Sequence, residues 1–132
     1  QLIAQIQFLE SQLKDLENEI TSIYETFNCY LSTIPGISNT LAAIILSEIG
    51  DINKFSSPAK LVAFAGIDPS VNQSGEFVGT ENTLSKRGSP FLRRALFLAA
   101  FVAENNNSTL KDYYQKKINE GKHHYVATRR CC

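Results

Sequence analysis

At 132 residues the chain has the length of one ordinary domain, or of a small domain with an appendage, and at 43% hydrophobic it can build a real core. No run of about 18 apolar residues occurs, which argues against a membrane-spanning helix, and no charged-then-apolar leader suggests export. Net charge is zero, yet residues 1–50 hold six acids against one base while residues 51–132 hold twelve bases against seven acids, an asymmetry that pairs an acidic arm with a body able to meet a polyanion.

Three cysteines (Cys29, Cys131 and Cys132) do not make a disulfide framework, and the expected compartment is the cytoplasm. The chain opens on Gln1 rather than Met and stops after a basic run, which we read as a fragment.

The first thirty residues carry the cleanest periodicity. Leu2, Ile6, Leu9, Leu13, Leu16, Ile20, Ile23 and Phe27 fall at alternating steps of four and three, with no Gly or Pro between them. That is an a/d heptad seam, narrower than the stripe of a helix packed on its own domain, and it predicts a coiled-coil arm over 1–30 and a homo-oligomer. A compact helical domain is expected over 31–132.

Pro35 and Gly36 end the first helical pattern, and Ser38 is placed to cap a helix whose apolar face uses Leu41, Ile44, Ile45 and Ile49 before Gly50 closes it. Ser57 with Pro58 predicts a short helix through Phe64, stopped at Gly66. Ser89 and Pro90 repeat that start for "FLRRALFLAAFVAE", and Ser108 starts another helix that Gly121 stops. The tail "KHHYVATRRCC" reads as the beginning of one more. Phe77-Val78 is the one place for a short hairpin edge, so the predicted class is all-α.

Three places could carry chemistry. "IPGIS" is similar to a helix-hairpin-helix, in which Gly36 supplies a positive φ and the next helix turns its free N–H groups toward a DNA phosphate; Ser38 stands where that motif usually has a second glycine. "SKRGSPFLRRA" is the densest basic cluster. Cations near a helix start oppose the macrodipole, so Lys86, Arg87, Arg93 and Arg94 are better explained by a bound phosphate than by a solvated face, the alternative being that Arg93 or Arg94 pairs with a carboxylate. Ser74, in the polar run between the third and fourth helices, is a candidate nucleophile or simply a turn residue before Gly75. His123 and His124 are adjacent and diverge by about 100° on a helix, so we expect them solvated or phosphate-facing rather than joined on a metal.

The ordered motifs "IPGIS", "EIGD", "AGIDPSVNQSG", "SKRG" and "LRRAL" resemble the C-terminal domain of the DEDD-type insertion-sequence transposases, relatives of the Piv and MooV DNA invertases that include the RNA-guided bridge recombinases. The similarity runs from about Ile34 to Lys122, and the leading heptads resemble that family's coiled-coil arm. It implies DNA transposition or recombination, with DNA and in some members structured RNA as partners. It also implies an N-terminal RuvC-like domain, absent from this chain, whose four acids hold the divalent metal (Mg), so that no cofactor is expected on the chain itself. The family's covalent DNA link through a serine maps by motif to Ser74, with Ser85 of "SKRG" as the rival.

Overall fold

The computed structural model describes residues 1–70 and 83–132 in full and, between them, the main chain of residues 73–74 and 77–78. The described elements are, in chain order, α1 (Leu2–Glu25), α2 (Asn39–Ile49), α3 (Pro58–Ala65), β1 (Gln73–Ser74), β2 (Phe77–Val78), α4 (Pro90–Asn106), α5 (Ser108–Asn119) and α6 (His124–Cys131). Single 3-10 turns at Leu31–Thr33 and Ile52–Lys54 precede α2 and α3. The architecture is helical, as expected, with one two-residue antiparallel ribbon in which Gln73 pairs with Val78 and Ser74 with Phe77. Among the described residues no helix is long and apolar enough to cross a membrane.

α1 forms over the heptad run, but it stops at Glu25, before the seam's last position. Thr26 closes its final turn by donating its hydroxyl to Ile23 O at 2.7 Å, and Asn28 takes a positive φ of 47°. The chain then reverses around buried Tyr24, whose hydroxyl donates to Cys29 O at 2.9 Å and accepts from Ser32 N at 3.2 Å. Cys29 therefore lies in this reversal and not in the helix. The seam stays in solvent along most of the arm, with Leu2 74%, Leu9 60% and Leu16 54% exposed.

Local chemistry sets the other boundaries. Ser38 accepts from Leu41 N at 3.2 Å and caps α2, and Ser89 accepts from Leu92 N at 3.1 Å and caps α4. Pro58 opens α3 by its fixed φ, although the Ser57 hydroxyl makes no capping bond. α5 begins as predicted, but its cap is Asn107, whose side chain accepts from Leu110 N at 3.1 Å.

α4 is the hub, with α2, α3, α5 and α6 all packed against it. Ala95, Ala99, Ala100 and Ala103 are buried on it, so neighbours approach closely. Gly36 uses that space: a Cβ there would lie 2.5 Å from Ala99 O and 2.9 Å from Ala103 N. Ile45, Ala65, Leu92 and Ala95 form the core's centre, with Leu41, Leu61, Phe64 and Ile67 packed around it. Among the described residues one side-chain hydrogen bond is wholly interior, where the fully buried Thr128 of α6 donates its hydroxyl to the buried Glu104 of α4 at 2.8 Å.

Candidate functional site

The polar segment after α3 leaves the body through a clasp. Gly66 ends α3 in the left-handed region at φ 68°. Residues 66–70 then run antiparallel to residues 83–88, joined by Ser70 N to Thr83 O at 2.6 Å, Ser85 N to Asp68 O at 2.9 Å and Lys86 N to Gly66 O at 3.2 Å, with Pro69 and Leu84 bridged between them. The Ser70 hydroxyl adds a donation to Thr83 O at 2.9 Å. The ribbon that contains Ser74 springs from this clasp. Ser74 is placed by its main-chain pairing, and its side chain lies outside the described residues.

Ser85, the rival, is half-buried inside the clasp and donates its hydroxyl to the Asp68 carboxylate. This side-chain hydrogen bond ties the two strands of the clasp together. Beyond it, Lys86 adopts a positive φ of 52°, uncommon for a residue with a side chain, and Gly88 lies directly on the Phe64 carbonyl. Ser89 N donates to that same carbonyl at 2.8 Å, and the Ser89 hydroxyl donates to Glu48 of α2 at 2.6 Å while it caps α4. Three helices meet at this one serine.

The arginines follow from that junction. Arg93 is half-buried, and its Nη1 donates to Ala65 O at 3.2 Å. Gly66 clears space for it, since a Cβ there would lie 2.6 Å from the same nitrogen. Lys86, Arg93 and Arg94 line a groove of about 290 Å³ whose remaining walls include Ile67, Leu84, Pro90 and Phe97. Arg87 stands exposed on the turn beside it. Among the described residues the one ion pair is Lys117 of α5 with Glu120 just past its end, so no described carboxylate pairs with Arg93 or Arg94.

Gly36 and Ser38 belong elsewhere. They border a shallow hollow with Leu41, Leu98, Phe101 and Val102. At about 100° per residue, Ala99 and Ala103, on which Gly36 packs, lie about 80° to 160° around α4 from Arg93 and Phe97, and up to about 15 Å farther along its axis. Gly36 packs on α4, Ser38 caps α2 at an exposed position, and neither lines the basic groove.

The tail also departs from expectation. His124 is half-buried, its Nδ1 2.6 Å from the Tyr114 hydroxyl, and is neither solvated nor aimed at the groove. The Tyr114 phenol is pushed up from its ordinary value by burial first, then by Glu104 and Cys131. Among the described residues no three His, Cys, Asp or Glu side chains come together to hold a metal.

Sequence reasoning missed Arg129. It lies on α6 and lines the groove with the other three cations. Its only trace in sequence is the pair Arg129-Arg130 in a short helical tail, and spacing does not say which of the two turns inward.

The family model described as "Transposase IS116/IS110/IS902 family" matches residues 28–115, two thirds of the chain. Among similar proteins, the "Insertion element IS110 uncharacterized 43.6 kDa protein" of Streptomyces coelicolor is 30% identical over 128 residues, covering 96% of this chain and 31% of that protein. The "Insertion element IS116 uncharacterized 44.8 kDa protein" of Streptomyces clavuligerus is 27% identical, covering 96% of this chain and 32% of that protein. The "Pilin gene-inverting protein" of Moraxella bovis is 33% identical over 89 residues, covering 61% of this chain and 28% of that protein. The chain thus spans about a third of the length of these relatives.

Proposed function

Because the chain belongs to the IS116/IS110/IS902 transposase family, we propose that it is the serine-bearing part of a DEDD-type DNA transposase or site-specific recombinase. One observation supports this most: the clasp that carries the Ser74 ribbon also walls a groove lined by cations that no described carboxylate neutralises. In this reading the Ser74 oxygen bonds to a DNA phosphorus, the strand's own P–O bond breaks, and the departing sugar oxygen takes up a proton. Lys86, Arg87, Arg93 and Arg94 hold the phosphates and offset the negative charge that builds on the non-bridging oxygens. The metal-holding acids belong to segments of the full-length enzyme outside this chain. Ser74 is favoured over Ser85 by its place in the "VNQSG" motif.

The exposed seam of α1 supports self-association, with Leu2, Leu9, Leu13 and Leu16 of one copy against those of a second. A second reading, a nucleic-acid-binding and oligomerising module without a nucleophile, draws on that same seam. Structured RNA would meet the same cations through its phosphates.

Trapping of a covalent DNA adduct by the full-length enzyme decides between these readings. Ser74→Ala should abolish the adduct and leave DNA binding intact, while Ser85→Ala should loosen the clasp and lower, but not abolish, trapping. An adduct that survives Ser74→Ala and vanishes with Ser85→Ala would move the nucleophile. No adduct from any variant or the wild type, with DNA binding retained, would favour the non-catalytic module. This chain alone should show no strand transfer.

A further inference from the structure

Arg129 sits on the best-anchored turn of α6. Its neighbour Thr128 is fully buried and bonded to Glu104, so the helix cannot swing away from α4 without breaking an interior contact. Arg129 Nε donates to Tyr125 O at 3.1 Å, much as Arg93 Nη1 donates to Ala65 O at 3.2 Å. Each guanidinium is thus oriented by a main-chain carbonyl that uses one of its five N–H donors, and the others remain for a ligand. Among the described residues that line the groove, Cys132 included, there is no Asp or Glu. Ile67, Leu84, Pro90 and the half-buried Phe97 supply its apolar walls, and the Tyr125 ring lies beside Phe97 at a centroid distance of 6.3 Å, tilted by 30°.

We propose that this groove seats one nucleotide of an unpaired DNA strand, with its phosphate on Arg93 and Arg129 and its base against Phe97. Arg129 is then a binding residue of the site. The inference rests on the nucleic-acid reading above and sharpens it. A cleft of about 290 Å³ is too small for a duplex, and cations lining one groove with an aromatic ring are the combination that single strands exploit, the cations tracking the backbone and the ring stacking a base. DNA is favoured over RNA because the clasp that walls the groove also carries Ser74, the proposed DNA nucleophile.

The test is fluorescence anisotropy of a short fluorescein-labelled oligothymidylate at low salt, beside its oligouridylate counterpart and an abasic deoxyribose-phosphate oligomer. Arg129→Gln should weaken oligothymidylate binding about tenfold and lower the slope of log K against log salt by about 0.7, the loss of one phosphate contact on a single strand. Arg129→Lys keeps the charge, so it should weaken binding only a few-fold with the slope unchanged, and it serves if the glutamine variant fails a thermal-melt control. The abasic oligomer should bind about tenfold more weakly than oligothymidylate, and Lys14→Gln on the arm should change nothing.

Wild-type binding unaltered by both Arg129 variants would overturn the groove assignment while leaving the nucleic-acid reading standing. Failure of the wild type to bind any oligomer would bring down both. Equal binding of the abasic oligomer would overturn the base seat, and tighter Arg129-dependent binding of oligouridylate would overturn the choice of DNA.

Discussion

A methyl group at Gly88 has nowhere to go. Built there, it falls inside the van der Waals envelope of the Phe64 carbonyl and 2.8 Å from Gly66 N, and both are main-chain atoms that no rotamer change can move. Relief requires parting the clasp, which stretches the bonds from Ser89 N to Phe64 O (2.8 Å) and from Lys86 N to Gly66 O (3.2 Å). Overpacking of this kind costs about 1–3 kcal/mol. Each main-chain hydrogen bond lost adds about 1 kcal/mol, so Gly88→Ala should destabilise the fold by about 3–5 kcal/mol. Gly121 supplies the contrast: its φ is +77°, but a Cβ there meets nothing within 4 Å, so Gly121→Ala carries only the left-handed penalty of about 1 kcal/mol. Urea unfolding followed by far-UV circular dichroism separates the two. With a slope near ~2 kcal/mol per molar, the midpoint should fall by about 2 M for Gly88→Ala and about 0.5 M for Gly121→Ala. Equal shifts, or a smaller one at Gly88, would refute the claim that the clasp is sterically locked onto the end of α3.

Thr128→Val removes the hydroxyl that serves buried Glu104 and should cost about 1–3 kcal/mol in the same assay, whereas a shift within error would show the carboxylate satisfied by other means. The Cys132 thiol, bonded to Thr128 O although the residue as a whole is exposed, is pushed up to about 11, chiefly by burial and then by Cys131. Its reactive thiolate is therefore scarce in the folded chain at pH 8 and rises only as pH approaches that value. Mass-spectrometric alkylation at pH 8 should be at least about tenfold faster in urea than in buffer, and equal rates would contradict a sheltered thiol. For the arm, sedimentation equilibrium should show concentration-dependent association that Leu9→Glu with Leu13→Glu abolishes, and a wild-type monomer at all concentrations would end the coiled-coil reading.

The helix starts and stops were legible in the sequence because the groups that set them are neighbours along the chain. Ser38 and Ser89 cap amides three residues ahead, Pro58 and Pro90 fix φ in a first turn, and Gly66 and Gly121 take the left-handed conformation just past a helix end. The heptad seam and the motif order that marks the family were equally local in kind. Where a cap was misassigned, as with Ser108 for Asn107, the error was a single residue.

Convergence was not legible. That Gly36 packs against α4 is not written in "IPGIS", and the seam predicts a helix past Glu25 until Tyr24 is seen drawing the chain back through Cys29 and Ser32. Ser89 finds Glu48 across 41 positions, and Thr128 finds Glu104 across 24. Arg129 joins Lys86 and Arg93 only because α6 docks on α4 with one of its two adjacent arginines turned into the groove. Sequence spacing fixes the angle between side chains on one helix, but which face meets a neighbour depends on the packing of all the helices at once. The sequence by itself therefore determined the helical elements, most of their ends and the family, and the tertiary structure decided where α1 stops and which of the cations share a site.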